Sequence, residues 1–298
     1  MITRRHIPVF LEETLNLLDA GREGTYVDCT LGLGGHSLEI LRRNPKARLI
    51  GMDADERSIQ EAREILQPYS SRIELYHSDF RYLPELNMNF SRIKGILIDL
   101  GISSFQLDSP ERGFSHTLNG PLDMRIDDRN RLTAAKIIAK YSESRLGQLL
   151  FEYGELHQAR KLAREIVSRR KLKPIETTVQ LRRLVEEVCR WRAERGKIHP
   201  AAKLFLALRI EVNQELKDLD VFLERILEKT AAGTRIAVIS FHSLEDRIIK
   251  RTFQRLAVSE AGLPRLNILT RKPVSPGEVE VRQNSRARSA KLRAAEKA

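Results

Sequence analysis

The sequence predicts an α/β protein whose Rossmann-like, mostly parallel sheet carries an inserted all-helical domain. A short apolar strand runs into a glycine-rich loop and then a helix at residues 26–42. Further apolar segments alternate with helical patterns and end beside acidic residues, as parallel strands do around a ligand site. Nearly 100 residues without a buried strand then interrupt this alternation, which indicates an insertion.

The glycine loop organises the first half of the chain. Glycines at 32, 34 and 35 follow the apolar strand and precede a helical pattern that begins near residue 38. Glycine permits sharp turns and close approach of a ligand to the backbone, and the helix start offers free N–H groups. Ser37 stands where the dinucleotide fingerprint requires its third glycine. The loop therefore favours a nucleoside ligand without a pyrophosphate and disfavours a nicotinamide oxidoreductase.

Three more strands are predicted at 48–53, 72–77 and 95–99. Each of the four strand ends lies within two residues of an acid, and these acids are Asp28, Asp53, Asp79 and Asp99. Ligands of open α/β sheets bind beyond the carboxyl ends of the strands. Asp53 follows the loop by roughly 20 residues, which is the position of a ribose-hydroxyl acceptor in such folds.

Helical patterns supply the rest of the predicted architecture. A lead-in at 6–20 ends in a helix, and a second helix is expected at 55–67. Between Ser103 and about Pro200 three helices are expected near 133–153, 155–172 and 178–193, the last opened by a capping box from Thr177 to Gln180. A long helical stretch at 201–231 precedes a fifth strand at 235–241. The expected domains are an α/β domain at 1–104 and 201–298, ending in a basic tail, and a helical domain at 105–200.

Composition limits the classes of function. The chain of 298 residues is 41% hydrophobic and carries a net charge of +12, which favours a polyanionic partner. No apolar run reaches the roughly 18 residues that a membrane span needs. Cys29 and Cys189 fit no disulfide or metal framework, and the basic start soon meets Glu12 and Glu13, so it makes a poor signal peptide. We expect a cytoplasmic protein without a membrane partner.

At this point the sequence resembles a known family over nearly its whole length. The motifs are HIPV at 6–9, DCTLGLGGHS at 28–37, DLGISS at 99–104, QLD at 106–108, ERGFS at 111–115, GPLDMR at 120–125, SFHSLEDR at 240–247 and RARSAKLR at 286–293. Together they resemble the bacterial small-subunit ribosomal RNA cytosine-N4 methyltransferase family, often called MraW or RsmH. The sequence departs from the family pattern in two places: Ala54 replaces a usual Arg, and residues 201–206 lack the usual polar side chains at 202 and 206.

The resemblance implies a class I methyltransferase fold, S-adenosylmethionine as cofactor and an insertion that faces RNA. It places cofactor contacts at Gly34, Gly35, His36, Asp53, Phe80, Asp99 and Gln106. The implied partner is small-subunit ribosomal RNA or the assembled small subunit. The sequence leaves open a homodimer, and it leaves open a non-enzymatic rival, an RNA-binding ribosome assembly factor with a vestigial cofactor pocket.

Two residues are candidates for catalysis. Methyl transfer is a displacement that requires the nucleophile and the methyl group in line. The exocyclic amine of cytosine is a poor nucleophile, and Asp99 at a strand end is placed to accept its proton or its hydrogen bond. His242 is the second candidate for proton transfer, with a helix-entry role as the alternative. No cysteine is placed as a nucleophile for ring-carbon methylation, and no metal site is expected.

Basic clusters predict contacts with RNA phosphates. Arg169, Arg170 and Lys171 lie in a strongly basic helical segment, and Arg286, Arg288 and Lys291 form a second cluster whose spacing also fits a tail docked on acids. Candidate base-stacking side chains are Phe105, Phe114 and Trp191, each of which equally suits a core position.

Overall fold

A computed structural model describes residues 8–192, 198–258 and 265–298. His6 and Ile7 of the first motif lie outside these residues. The described chain divides into two compact units. The sheet unit contains the described residues up to Gly101 and those from Asp218 onward, whereas the helical unit contains 102–217.

The sheet unit is built on one sheet of seven strands. The strands are β1 Gly24–Asp28, β2 Ala47–Asp53, β3 Ile73–His77, β4 Ile93–Asp99, β5 Arg235–Ser240, β6 Leu266–Ile268 and β7 Lys291–Lys297. Their order is β3-β2-β1-β4-β5-β7-β6, with β7 antiparallel to both of its neighbours and the first five strands parallel. The winding direction reverses between β1 and β4, which is where open α/β sheets bind ligands. This order confirms the predicted α/β class.

Helices cover both faces of the sheet. They are α1 Leu11–Leu18, α2 Gly35–Arg43, α3 Glu56–Ile65, α10 Leu219–Lys229 and α11 Ser243–Ala257. The sheet unit also contains the short helix α12 Glu278–Gln283, which buries none of its residues. One apolar layer joins Val27, Ile96 and Val238 of the strands to Phe222 of α10 and Phe253 of α11. On the opposite face, separate clusters pack the strands against the residues of α1, α2 and α3. Burial on both faces explains the continuous apolar runs of the parallel strands.

The prediction that the chain ends in a basic tail is wrong, because residues 291–297 form β7 inside the sheet. β7 pairs with β5 on one side and with β6 on the other. Its Arg293 is buried and donates to Asp246 Oδ1 of α11 at 2.6 Å. β6 and β7 were not predicted from sequence, because β6 has only three residues and β7 carries three basic residues and a glutamate among its seven.

The helical unit is inserted between β4 and β5. Its helices are α4 Ser104–Leu107, α5 Ala134–Lys140, α6 Glu143–Glu152, α7 Ala159–Leu172, α8 Thr178–Cys189 and α9 Pro200–Asn213. The capping box expected at α8 is confirmed: Thr177 and Gln180 bond reciprocally. One hydrophobic core joins Leu146, Leu162 and Leu184 to Leu204 and Leu208.

The boundary after the insertion differs from the expected residue 200. α9 packs into the core of the helical unit, which therefore extends to residue 217. The stretch expected as one helix at 201–231 is two, because the backbone turns through left-handed conformations at Gln214 and Asp218. Within the described residues, no helix has the length and apolarity to cross a membrane.

Candidate active site

The site is assembled at the carboxyl ends of β1, β2 and β4. Asp28, the last residue of β1, is buried and accepts a hydrogen bond from the Ser37 hydroxyl at 2.7 Å and one from the Thr30 backbone N–H at 3.3 Å. The Thr30 hydroxyl oxygen in turn accepts the backbone N–H of Asp99 at 2.6 Å. These bonds fasten the glycine loop to the start of α2 and to the end of β4.

The three loop positions require glycine for different structural reasons. Gly32 and Gly34 adopt left-handed backbone conformations, with φ values of 52° and 76°. A Cβ on Gly34 would lie 3.3 Å from the Leu66 side chain, and one on Gly35 would lie 2.5 Å from the Pro8 ring. A Cβ on Gly32 would meet no atom within 4 Å. The space that a side chain would occupy is therefore open to a ligand at Gly32. At Gly34 and Gly35 other parts of the protein pack against this space, which is why these residues lack side chains.

Asp53 holds the loop from the neighbouring strand. Its Oδ2 accepts the Gly32 backbone N–H at 2.8 Å, and its Oδ1 accepts the Asp55 backbone N–H at 2.8 Å. Asp55 is the N-cap of α3 and accepts the Arg57 backbone N–H at 3.2 Å. Each Asp53 oxygen retains a further lone pair, so the ribose-acceptor role expected from sequence stays a prediction alongside this loop-supporting role.

Asp99 is the carboxylate whose bonding is incomplete. It is the last residue of β4, beside the strand reversal, and its Oδ1 is buried without a hydrogen-bond partner among the described residues. Burial first, and then the charges of Asp28 and Glu245, raise the pKa of Asp99 well above its usual range. A buried carboxylate oxygen without a donor is costly, so its position favours a ligand that brings a donor or a positive charge.

The neighbouring acids share this electrostatic environment. Burial raises the pKa of Asp28 to about 6, against the hydrogen bonds from Ser37 and Thr30 that lower it. Burial also raises the pKa of Asp53 to about 7, with added repulsion from Asp55 and Asp28. Clustered acids with raised pKa values are typical of functional sites, because the fold maintains them against their own repulsion.

The other residues expected to contact the cofactor have contacts inside the protein. The ring Nε2 of His36 lies 3.0 Å from the Val9 carbonyl oxygen and so secures the segment that packs on Gly35. The Phe80 ring meets Phe222 edge-on, with the ring centroids 4.9 Å apart. In the helical unit, Gln106 is buried and closes a capping box in which its Oε1 accepts the Ser103 backbone N–H at 2.9 Å. Their cofactor contacts stay predictions.

His242 begins α11. It is the N-cap, and its Nδ1 accepts the Glu245 backbone N–H at 3.4 Å. Glu245 completes a capping box, since its Oε2 accepts the backbone N–H groups of Phe241 at 2.9 Å and His242 at 3.3 Å. The helix-entry alternative therefore has direct structural support, and proton transfer by His242 stays a prediction.

The two basic clusters are largely engaged with the protein. In the helical unit, Arg169 contacts Glu165 at 2.6 Å and Glu187 at 2.7 Å, and Arg170 donates to the Ile138 carbonyl oxygen at 2.6 Å. Lys171 is exposed. In the sheet unit, Arg286 and Arg288 are exposed, whereas Lys291 donates to Asp246 Oδ2 at 3.1 Å. Binding of RNA by these residues stays a prediction.

The supporting roles of some residues were not predicted from sequence. These residues are Asp28, Thr30, Ser37, Pro8 and Glu245. All five lie inside the motifs, but a strand-loop-helix pattern does not reveal which side chain bonds to which. The available signal was the pairing of an acid at the end of β1 with a hydroxyl in the first turn of α2.

Comparison with known proteins identifies the class of enzyme. The model of the MraW methylase family matches residues 3–298. The chain belongs to the MraW methylase family. S-Adenosylmethionine is its methyl donor, and the protein is a methyltransferase of the class I α/β fold.

Solved structures of low sequence identity align with this MraW chain. A candidate rRNA-methylase from Clostridium thermocellum has 10% identity and a TM-score of 0.46, with 98% of this chain and 100% of that chain covered. A candidate methyltransferase from Streptococcus mutans in complex with SAH has 11% identity and the same TM-score, 0.46, with 98% and 100% covered. An rRNA methylase from Streptococcus thermophilus has 11% identity and a TM-score of 0.41, with 100% and 98% covered. Scores this low support no functional inference, so the assignment rests on the MraW family match.

The acid-lined edge of the sheet suits S-adenosylmethionine. The cofactor carries a sulfonium and an ammonium group, and both are cations that complement buried acids. Asp99 offers an unpartnered acceptor, and Gly32 leaves room beside the loop backbone. When bound, the sulfonium supplies an electrophilic methyl group. In this MraW protein, Asp28, Asp53 and Asp99 are the groups that would stabilise its charge.

Proposed function

We propose that this MraW protein methylates the exocyclic N4 amine of a cytidine in small-subunit ribosomal RNA. The observation that carries the proposal is the unpartnered, buried Oδ1 of Asp99 at the strand reversal. An amine conjugated to a ring becomes a better nucleophile when an acceptor receives a hydrogen bond or the proton from its N–H group. The lone pair then localises on the nitrogen. A carboxylate with a raised pKa is also the more effective proton acceptor.

The two cysteines favour an amine over a ring carbon as the methyl acceptor. Ring-carbon methylation of pyrimidines uses a cysteine thiolate as nucleophile, and a thiolate requires a lowered pKa. Burial raises the pKa of Cys29 well above its usual value, and burial also raises the pKa of Cys189. Both thiols therefore stay protonated and unreactive, which supports attack by the amine itself.

The RNA substrate is supported by charge and by family membership. A net charge of +12 suits a polyanion, and a ribosomal RNA target is what the sequence resemblance implies. A cytosine amine in folded RNA is accessible only in an unpaired or flipped nucleotide. The target cytidine is therefore unpaired, or flipped out of its helix, when it is methylated. The cytoplasmic location and the homodimer considered from sequence stay predictions.

The test is methyl transfer with identification of the product. The full chain would be incubated with labelled S-adenosylmethionine and with either naked ribosomal RNA or small subunits from a strain that lacks the gene. Nucleoside chromatography with mass spectrometry separates N4-methylcytidine from 5-methylcytidine. We expect N4-methylcytidine. Formation of 5-methylcytidine would overturn the amine assignment, and absence of any transfer to either RNA would favour the assembly-factor alternative.

Asp99→Asn tests the proton acceptor within the same assay. The amide still accepts a hydrogen bond but cannot take a proton, so the turnover at saturating S-adenosylmethionine should fall by about 10²- to 10⁴-fold, as for other general bases. Glu61→Gln, an exposed carboxylate on α3, is the matched control and should retain full turnover. Wild-type turnover by Asp99→Asn would remove Asp99 from the chemistry and leave the methyltransferase activity standing.

A further inference from the structure

A ladder of aromatic rings in the helical unit runs from its core to its surface. The buried ring of Phe205 meets His116 edge-on at 6.0 Å between centroids, and His116 stacks on His199 at 5.2 Å with an interplanar angle of 16°. His199 then meets the Trp191 ring at 5.0 Å and 61°. The outermost ring, Trp191, is partly exposed and does not belong to the apolar core.

Hydrogen bonds fix the His199 ring. As the N-cap of α9, its Nδ1 accepts the Ala201 backbone N–H at 3.0 Å. Its Nε2 lies 3.1 Å from Glu186 Oε1 and donates to it. Both ring nitrogens are therefore engaged, and a fixed ring is a firm support for the indole beside it.

The Trp191 backbone is also fixed. α8 ends at Arg190, which adopts a left-handed conformation with φ 49°, and the Trp191 N–H returns to the Glu186 carbonyl oxygen at 3.0 Å. A non-glycine residue in this conformation carries a conformational cost that the surrounding structure must offset. After this turn the indole contacts the His199 ring.

Trp191 differs from the other aromatic candidates of the sequence. Phe114 is only 5% exposed, belongs to the hydrophobic core and has the Arg112 guanidinium over its ring at 5.9 Å. Phe105 is 37% exposed on the short α4. Among the three, only Trp191 is a partly exposed side chain that contacts a row of rings leading into the core.

The surroundings of Trp191 in the sequence are cationic. Arg183, Arg190 and Arg192 are exposed, and Arg182 is paired with Glu186 at 2.7 Å. An aromatic face with arginines beside it is the combination by which proteins hold single-stranded nucleic acid, since bases stack on the ring while arginines neutralise the phosphates.

We propose that Trp191, supported by His199 and His116, is a stacking platform for an unpaired base of the RNA substrate, with Arg190 and Arg192 beside it on the phosphates. The proposal rests on the proposed function, because it assigns to the helical unit a contact with that same RNA. It goes further by naming a base contact that any of the four bases can make, since stacking does not read sequence.

Trp191 is the only tryptophan of the chain, so its fluorescence reports on the platform directly. The full chain would be titrated with a single-stranded RNA of about 12 nucleotides, within the site sizes typical of such grooves, and with an abasic oligomer of equal length and charge. We expect the RNA to quench the fluorescence and the abasic oligomer to leave it unchanged. Equal quenching by both would overturn the stacking role.

Substitutions provide the second readout. Trp191→Ala and Trp191→Leu should weaken RNA binding by about 5- to 150-fold, which corresponds to the range for one stacked base, and should leave binding of the abasic oligomer unchanged. Trp191→Tyr should restore most of the loss. Phe151→Ala is the matched control, because Phe151 is 66% exposed on α6 of the same unit. Circular dichroism and S-adenosylmethionine affinity verify that each variant is folded.

The outcomes separate this proposal from the proposed function. If Trp191→Ala binds and methylates RNA as the wild type does, the platform is wrong while the methyltransferase assignment stands. If the folded wild type binds and methylates neither ribosomal RNA nor small subunits, both are wrong. If the fluorescence instead changes with protein concentration in the absence of RNA, the indole lies in a contact between two copies of the chain, and the platform is again overturned.

Discussion

The Thr30 hydroxyl oxygen accepts the backbone N–H of Asp99 at 2.6 Å, and this bond joins the glycine loop after β1 to the end of β4. The two strands are neighbours at the point where the winding of the sheet reverses. The bond fixes the backbone of the residue whose carboxylate oxygen has no partner among the described residues. Thr30 is therefore a positioning residue for Asp99.

Thr30→Val tests this relationship. The substitution keeps the shape but removes the acceptor, so the Asp99 N–H loses its hydrogen bond. We expect a loss of about 1–3 kcal/mol in the free energy of unfolding, the usual cost of an unsatisfied buried donor. Thr30→Ser keeps the hydroxyl and should recover most of the loss. Chemical denaturation of the three proteins provides the measurement, and equal stability of Thr30→Val and wild type would contradict the role.

The raised pKa values predict how stability and cofactor binding depend on pH. The pKa of Asp53 is about 7 and that of Asp28 about 6 in the folded chain, against about 3.9 in an unfolded one. Folding therefore takes up protons between these values. The stabilisation is fully present below about pH 4 and is lost as the pH rises to 7, with a slope of at most about 1.4 kcal/mol per pH unit for each proton.

A cationic cofactor favours the ionised acids, so the affinity for S-adenosylmethionine should rise between about pH 5.5 and pH 8. Asp53→Asn, which cannot titrate, should flatten both the affinity profile and the stability profile in this range. Calorimetry at a series of pH values measures the first and urea denaturation the second. A wild-type affinity that does not change with pH would show that these acids keep their protons when the cofactor binds.

Substitutions of the loop glycines distinguish contact with the cofactor from packing inside the protein. In Gly32→Ala the new methyl group has open space, so the folded protein should lose only about 1–2 kcal/mol from the left-handed backbone, together with cofactor affinity. In Gly34→Ala the methyl group lies 3.3 Å from Leu66, so stability should fall further. Denaturation and calorimetry on both variants test this contrast. A Gly32→Ala protein with unchanged cofactor affinity would exclude its open face from the site.

The parallel strands and the acids at their ends follow from sequence patterns, because burial on both faces demands continuous apolar runs. β7 does not follow from them. Its sequence contains Lys291, Arg293 and Lys297, and its charges are tolerated only because Asp246 of α11 pairs with the first two. A strand whose stability depends on a partner 45 residues away in sequence has no local signal.

The break between α9 and α10 likewise has no signal in the local sequence. Helices commonly end at glycine, yet this one ends with Gln214 in the left-handed conformation, and Asp218 adopts it again before the next helix. Packing of α9 in the helical unit and of α10 against the sheet determines the break. Tertiary packing of this kind overrides local propensity, so the helical unit ends at residue 217 and not at the expected residue 200.

His242 can be tested by a substitution that keeps its capping role. Asparagine is a strong N-cap but does not transfer protons near neutral pH. We expect His242→Asn to retain near wild-type turnover and stability, whereas His242→Ala should lose about 1 kcal/mol of stability, as N-cap removal usually does. Methyl transfer assays and thermal unfolding on both variants provide the comparison. A large loss of turnover in a stable His242→Asn protein would establish proton transfer by this ring.

The basic residues at the end of α7 and directly after it differ in their contacts. We expect the exposed ones to bind phosphates and the paired ones to stabilise the helical unit. Lys171 and Lys173 are exposed, whereas Arg169 contacts two glutamates and Arg170 donates to the Ile138 carbonyl oxygen. Release of counterions requires a cation that meets the phosphate directly. Lys171→Ala with Lys173→Ala should therefore reduce the slope of log affinity against log salt by about 1.4, or roughly 0.7 for each phosphate of a single strand.

Arg169→Ala should change this slope by less than either lysine does, because Glu165 and Glu187 already compensate its charge. Arg282→Ala is the control for loss of one positive charge, since Arg282 is exposed and paired with Glu278 on α12. RNA affinity across a salt series, measured alongside S-adenosylmethionine affinity on the same preparations, decides between the groups. If the double lysine variant kept the full slope, Lys171 and Lys173 would face solvent and not RNA, and the phosphate contacts would have to lie on other residues.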